Sequence, residues 1–377
     1  MKKNPAHSER ALARARSRLE ILPGRPDPEG LLVLARTIFP GEDIVDPRYL
    51  PWLYDQNPAG PAYEFMTRDR GLVTGHAAAL PLRYKIGAEE MTGSLGVNAI
   101  THPAFRGKGI FILLYEEIFK LCVRDGNPFM FGFANSNSHK GCLRHLDFQE
   151  IGQLPLWILP FDLRRILASR KSRPGRLWRV GAGAANPFLG LGLSVLRPRP
   201  DKDIAIEKIK EFGSEFDGFW ETVKNAYPNC LIRNRAFLDW RFVRQPTRRY
   251  DIFAARKGGH LLAYLAGTLT TIEGLRWGMI VDMLAAETPE GRAAGRGVVA
   301  AFHRHIRSEG ADLAAALMLK RAPPAKALRR NGYLVCPRSF LPREFPVLLR
   351  WNMPSAPPAG FFDLKSWHLT LGDYDAV

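Results

Sequence analysis

The residues Arg106-Gly107-Lys108-Gly109-Ile110 have the composition of a phosphate cradle. Glycine lets the backbone come close to an anion and take up positive φ. Two basic side chains add charge. A helix beginning just after the loop would add unpaired N–H groups and a partial positive charge. A glycine turn before a helix is common, so the loop alone reads equally well as a tight connection. Residues able to move a proton are sparser. His102 stands just before the loop, though a histidine ahead of Pro103 also suits a turn. Glu64 sits on an expected strand, either facing a cleft or solvated at an edge. His76 reads as a core histidine with its hydrogen bonds satisfied. Asp282 lies between Ile280-Val281 and Met283-Leu284, a carboxylate inside an apolar strand. Such a group needs a partner, which makes it a site candidate or half of a structural ion pair.

The elements that must hold these residues are legible from periodicity. Leu31, Leu34, Ala35 and Ile38 mark one face of a helix ending near Pro40. Segments 62–67, 71–85 and 89–101 read as strands, broken at Asp69-Arg70-Gly71 and Gly87-Ala88. After the loop, Phe111, Leu114, Tyr115, Ile118 and Cys122 form the apolar face of a second helix, which Gly126-Asn127-Pro128 ends. Phe129 to Phe133 reads as a buried strand, with a short helix at 138–146 and strands to about Leu159.

The second half repeats the first. Tyr49-Leu50-x-Trp52-x-Tyr54-x-x-x-Pro58 matches Phe237-Leu238-x-Trp240-x-Phe242-x-x-x-Pro246 at an offset of 188. Gly107-Lys108-Gly109-Ile110 matches Gly295-Arg296-Gly297-Val298 at the same offset. In each half an apolar helix and strand follow, then a short helix closed by Leu146-Asp147-Phe148 or Asn331-Gly332-Tyr333. A repeat this long is a duplicated domain.

The stretch from Ile100 to Ile110, with Asn135-x-Asn137-Ser138 and Leu146-Asp147-Phe148, resembles the signature region of GNAT acyltransferases. The likeness is strong over 60–155 and weaker over 230–335. It implies an α+β (mixed α/β) fold of two tandem GNAT-like modules, each a mixed, mostly antiparallel sheet flanked by helices. The plan expected is a basic arm at 1–29, a first module at 30–160, a basic connector at 161–203, a second module at 204–345 and a tail at 346–377. The resemblance implies acetyl-CoA or another acyl-CoA as donor. Arg106, Gly107, Lys108, Gly109 and Ile110 would hold its pyrophosphate, with Asn98, Ile100, Asn135 and Asn137 along the rest of the cofactor. It also implies an amine acceptor on a small molecule, sugar or peptide. The family pattern Gln/Arg-x-x-Gly-x-Gly/Ala is met at Arg106 and Gly109, but Phe111 takes the last place. Arg292-x-x-Gly295-x-Gly297 meets it fully, two residues out of the frame the 188 offset sets, and is a second candidate site. The first module has the fuller signature and is expected to hold the cofactor. Backbone N–H groups near Asn98 to Ile100 would stabilise the oxyanion. Leu143 and Leu328 stand where relatives place a tyrosine acid, so the usual acid is missing. Glu64, His102 and Asp282 remain as proton-transfer candidates. The tail from Trp367 to Asp375 resembles the ends of other two-module proteins of this kind. It would bring Asp373 or Asp375 to the first module, or simply cap a sheet edge.

Composition sets the outer limits. With 377 residues, 46% hydrophobic and 24% charged, the chain fits two globular domains. Its net charge of +17 favours anionic partners. Arg10, Arg14, Arg16 and Arg18 make the arm basic. In the connector, Arg164 through Lys202 lie among Trp178, Phe188 and Leu189, a composition suited to an anionic membrane surface. No zinc spacing, aromatic ladder or helix-turn-helix pattern points to specific nucleic-acid binding. Cys122, Cys142, Cys230 and Cys336 form no CxxC pair and no metal cluster. Neither a signal peptide nor a membrane span is legible, so the expectation is a cytoplasmic protein, at most peripheral to a membrane. A non-catalytic acyl-CoA-binding module is the alternative to an enzyme.

Overall fold

The computed structural model describes residues 18–135, 137–168, 201–341 and 343–374. Most of the arm, connector residues 169–200 and Asp375 lie outside them. The chain divides into two compact units, Met1–Gln153 with Arg244–Arg248 and Pro346–Leu364, and Leu154–Val243 with Arg249–Phe345 and Lys365–Val377.

In the first unit, β1 (Glu20–Pro23) pairs antiparallel with β2 (Tyr63–Asp69). β1 therefore lies within the stretch expected to be the arm. Pro23 is tolerated because an edge strand can lack an N–H on its outer side. Asp27 caps α1 (Pro28–Ile38), accepting a hydrogen bond from the Gly30 amide at 2.8 Å. Pro28 is the first helical residue, where proline's missing N–H costs nothing. A meander follows, with β2 leading to β3 (Leu72–Ile86) and β4 (Glu89–Thr101). Its first turn places Arg70 and Gly71 at φ 49° and 85°, the paired positive φ that a tight hairpin requires. A short turn, Pro103–Phe105, leads to α2 (Ile110–Arg124). Ile110, Leu113, Leu114, Ile118 and Cys122 of α2 are buried, each large apolar side chain contributing roughly 1.5–3 kcal/mol. β5 (Phe129–Gly132), α3 (His139–His145) and β6 (Gln149–Gln153) complete this stretch.

The second unit starts with β7 (Leu156–Pro160) and α4 (Leu163–Ala168). Next come β8 (Ala205–Ile209), α5 (Glu215–Val223), β9 (Asn229–Leu231) and α6 (Arg235–Phe242). Its central hairpins are β10 (Asp251–Lys257), β11 (His260–Ile272) and β12 (Leu275–Ala285). α7 (Pro289–Ser308), β13 (Leu313–Leu317), α8 (Ala325–Arg330) and β14 (Leu334–Val335) follow. The chain then forms β15 (Pro346–Trp351) and β16 (Trp367–His368).

In both sheets strands cross the expected boundaries. The first runs β1-β2-β3-β4-β5-β15-β6, with Pro346–Trp351 between β5 and β6. The second runs β14-β7-β13-β12-β11-β10-β8, with Leu156–Pro160 between β13 and β14. Residues 156–160, expected in the first module, thus belong to the second unit, and 346–351, expected in a tail, belong to the first. β4–β5 and β12–β13 pair in parallel, as does β16 with β9, and the other pairs described here are antiparallel. Both units are mixed, mostly antiparallel sheets flanked by helices. No disulfide joins the cysteines.

Candidate functional site

The loop at 102–110 is built by local forces. His102 caps the turn Pro103–Phe105, its Nδ1 accepting from the Ala104 amide at 3.3 Å. That engagement makes His102 a turn residue. Gly107 and Gly109 have φ 75° and 85°, the left-handed region that costs other residues about 1–2 kcal/mol. Gly109 is the N-cap of α2 and offers no side-chain cap. Its carbonyl accepts from Leu113, while the amides from Gly107 to Ile112 have no backbone partner among the described residues. A two-glycine turn thus aims a row of N–H groups outward at the positive end of a fifteen-residue helix. Lys108 holds its ammonium 4.2 Å from the Phe105 ring centre.

Beside this loop, β4 and β5 part. They pair only at Ser94–Gly96 against Met130–Gly132. From Val97 to Thr101 that edge of β4 has no strand partner among the described residues. Asn98 sits in the open stretch at φ 49°, where the register against β3 shifts between His76 and Ala78. A buried polar chain pins this bulge. The Asn98 carbonyl lies 3.2 Å from His76 Nδ1, and His76 Nε2 lies 2.9 Å from Glu64. The ring thus bridges the Asn98 carbonyl and the Glu64 carboxyl through its two nitrogens. Glu64 also meets Arg25 at 3.1 Å. The Asn98 amide donates to the Tyr54 hydroxyl at 2.9 Å. Burial, then the Glu64 charge, push the Tyr54 phenol well above its usual range, so it stays a hydroxyl. Sequence reasoning found Glu64 and Asn98 and read His76 as a core histidine with its hydrogen bonds satisfied, as the structure has it, but missed Arg25 and Tyr54. The Tyr54 signal was available, since it lies in the repeated aromatic motif.

Asn135 and Asn137 have a structural task. The Asn135 Oδ1 accepts from the Asn137 and Ser138 amides at 3.0 and 3.2 Å, shaping the turn into α3. Leu143, at the position expected of an acid, is exposed.

No protein-family model and no curated protein matches the sequence. Solved structures do resemble it. A GCN5-related N-acetyltransferase from Anabaena variabilis aligns at TM-score 0.61 and 12% identity, covering 89% of this chain and 73% of that one. A probable N-acyltransferase from Enterococcus faecalis gives 0.58 and 11%, over 88% and 72% of the two chains. Saccharomyces cerevisiae N-myristoyltransferase with bound myristoyl-CoA gives 0.59 and 10%, over 89% and 83%. The chain has the GNAT fold, in two modules.

The two GNAT modules differ where a cofactor would enter. In the second, Arg292, Gly295 and Gly297 are not in a loop. They lie inside α7, whose N-cap Thr288 accepts from the Gly291 amide at 3.0 Å with Pro289 behind it. Amides beyond the first turn of a helix are spent on its own bonds. The glycines there serve packing: a Cβ at Gly297 would lie 2.4 Å from Ile206, and one at Gly295 3.1 Å from Ala285. This GNAT module therefore lacks the outward amide row, and the pattern at 292–297 is corrected from loop to helix.

Asp282 is likewise accounted for. Arg233, 2% exposed, donates to Asp282 at 3.0 Å and to Asp373 at 2.8 Å. Tyr264 and Thr370 donate to Asp282 at 2.6 and 2.8 Å. Burial is the largest influence and opposes the Asp282 charge, but Arg233 together with the donors Tyr264 and Thr370 outweighs it and holds the carboxyl below its usual range. For Asp373 burial prevails and pushes the carboxyl up. Thr370 also bridges to Met318, just past β13. The tail segment therefore closes the angle between β12 and β13, and Asp373 is a buried part of the second module. Among the described residues no group of His, Cys, Asp and Glu is placed to hold a metal, and no helix is long and apolar enough to cross a membrane.

Proposed function

We propose that this chain is an acyl-CoA-dependent N-acyltransferase that moves an acetyl group from acetyl-CoA to an amine, using one thioester site in the first module. The observation carrying this reading is the row of unpaired amides from Gly107 to Ile112 beside the parted strands β4 and β5. The bound myristoyl-CoA of the yeast neighbour supports an acyl-CoA as the donor class. Arg106, Gly107, Lys108, Gly109 and Ile110 would take the pyrophosphate. Asn98 and Ile100 would line the pantetheine arm and thioester, the free β4 edge offering backbone N–H groups to the developing oxyanion. Asn135 and Asn137 would bear on the cofactor through the turn they shape.

In the reaction, the neutral amine nitrogen attacks the thioester carbon, the carbon–sulfur bond breaks, and the sulfur leaves as CoA thiolate. The amine proton needs an acceptor. Glu64 is the carboxylate tied to the Asn98 bulge through His76, and it is the base we assign. His102 and Asp282 are set aside for this role, since each is engaged in local structure. The acceptor is an amine on a small molecule, a sugar or a peptide.

Leucines at 143 and 328 in place of a tyrosine acid favour one other reading, an acyl-CoA-binding protein without turnover. Titration calorimetry with acetyl-CoA, followed by CoA-release assays against amine libraries, separates them. Absence of binding to acetyl-CoA and to longer acyl-CoAs would refute both. Glu64→Gln should keep acetyl-CoA affinity and lose turnover.

A further inference from the structure

We infer that Tyr115 is the floor of the acyl site and restricts the donor to short acyl groups. This rests on the thioester site proposed above. An acyl-CoA with its pyrophosphate on the 107–112 amides would run along the free edge of β4, from Thr101 toward the point where β4 and β5 meet. That point is Gly96 against Gly132, so the wedge ends between two residues without side chains. What lies behind them decides how much acyl chain fits.

Behind Gly96 stands the Tyr115 hydroxyl. A Cβ at Gly96 would lie 2.8 Å from that oxygen and 3.5 Å from Met130 Sδ. Behind Gly132 stands the Phe148 ring, 3.4 Å from where a Cβ at Gly132 would lie. Tyr115 is buried at 6% exposure and Phe148 at 5%. Tyr115 is also held in place: its ring centre is 5.0 Å from that of Phe111 and 5.8 Å from that of Phe119. The α2 face of the wedge therefore has no room for even one extra methyl group. An acetyl group ends before this wall. A longer chain must displace a tyrosine clamped between two rings, which close-packed interiors resist. The fold itself leaves acyl length open, since its neighbours include both an N-acetyltransferase and an N-myristoyltransferase.

The test is titration calorimetry of the full chain with CoA, acetyl-CoA and octanoyl-CoA, which needs no acceptor. Wild type should bind octanoyl-CoA at least about tenfold more weakly than acetyl-CoA. Tyr115→Leu, which keeps an apolar filler but removes the ring and hydroxyl, should bring the two within about threefold. Gly96→Ala adds a methyl to the floor. It should weaken acetyl-CoA about tenfold while leaving CoA nearly unchanged, a split that general loosening of the fold would not give. Equal wild-type affinity for the two thioesters would overturn the floor. A Tyr115→Leu protein that binds octanoyl-CoA no better than wild type would overturn Tyr115 as its determinant. Failure of wild type to bind any of the three would instead overturn the thioester site, and the floor with it.

Discussion

Gly109→Ala tests the phosphate cradle at its most constrained atom. Gly109 holds φ 85° and ψ 3° as the N-cap of α2. An alanine there costs about 1–2 kcal/mol if the backbone stays in place. The chain can escape that cost by rotating the residue, which swings the following amides away from any bound phosphate. Losing two charge-assisted hydrogen bonds, each worth about 1.5–3 kcal/mol, removes about 3–6 kcal/mol of binding. Acetyl-CoA affinity should therefore fall by a factor of about 10² to 10⁴. The control is Gly126→Ala, just past the other end of the same helix. Gly126 has φ 70°, and a Cβ there meets nothing within 4 Å. Both variants should lose about 1–2 kcal/mol of stability in denaturant melts, but only Gly109→Ala should lose affinity in calorimetry. The cradle is refuted if Gly109→Ala binds within threefold of wild type, or if Gly126→Ala weakens binding equally.

Lys108→Ala should weaken acetyl-CoA binding by about three- to tenfold, with the difference shrinking as salt is raised, because an exposed charge is screened; a salt-independent loss would point to a folding role. Asp282→Asn leaves Arg233 buried against a neutral partner and should cost about 3–5 kcal/mol of stability without changing acetyl-CoA affinity in the folded protein, as urea melts and calorimetry would read. Burial, then Arg233, lower the His368 pKa from the ordinary 6.5 to about 3, and neither ring nitrogen has a hydrogen-bond partner among the described residues. The unfolded chain takes up that proton near pH 6.5 while the native state refuses it until about pH 3, so this contribution is full above 6.5 and is lost on acidification at up to about 1.4 kcal/mol per pH unit. His368→Phe should flatten the fall of urea midpoints between pH 7 and 5, and an unchanged slope would show that His368 is not its source.

The first module was legible because its signals are local. The strands at 63–69, 72–86 and 89–101 and the helix at 110–124 followed from periodicity and glycine punctuation. What escaped was either short or distant. β1 has four residues, too few for a period to register. The strands 156–160 and 346–351 are apolar runs whose sequence says nothing about which sheet receives them. Arg233 and Asp373 are separated by 140 residues, and no local pattern announces that pairing. At 292–297 a loop motif overrode a plainer signal: Thr288, Pro289 and Glu290 are a helix start, and the motif falls inside that helix.

The 188 offset found in the sequence describes only part of the duplication. Where β4 meets β5, Ser94 pairs with Met130; where β12 meets β13, Gly278 pairs with Ala314. Each pair involves the second residue of β5 or β13, and the offset there is 184. Between the aromatic motif, where the offset is 188, and this point the second copy is four residues shorter. In the corrected frame Asn98 corresponds to Asp282, and both sit where the register against the preceding strand shifts. A neutral amide at that place can border an open edge. A carboxylate buried there needs a cation and donors, and the second module supplies Arg233, Tyr264 and Thr370. Supplying Thr370 draws the tail into the angle between β12 and β13, the space that the first module keeps open between β4 and β5. One position, amide in one copy and acid in the other, thus separates a module whose central strands stay parted from one whose tail closes the angle between them.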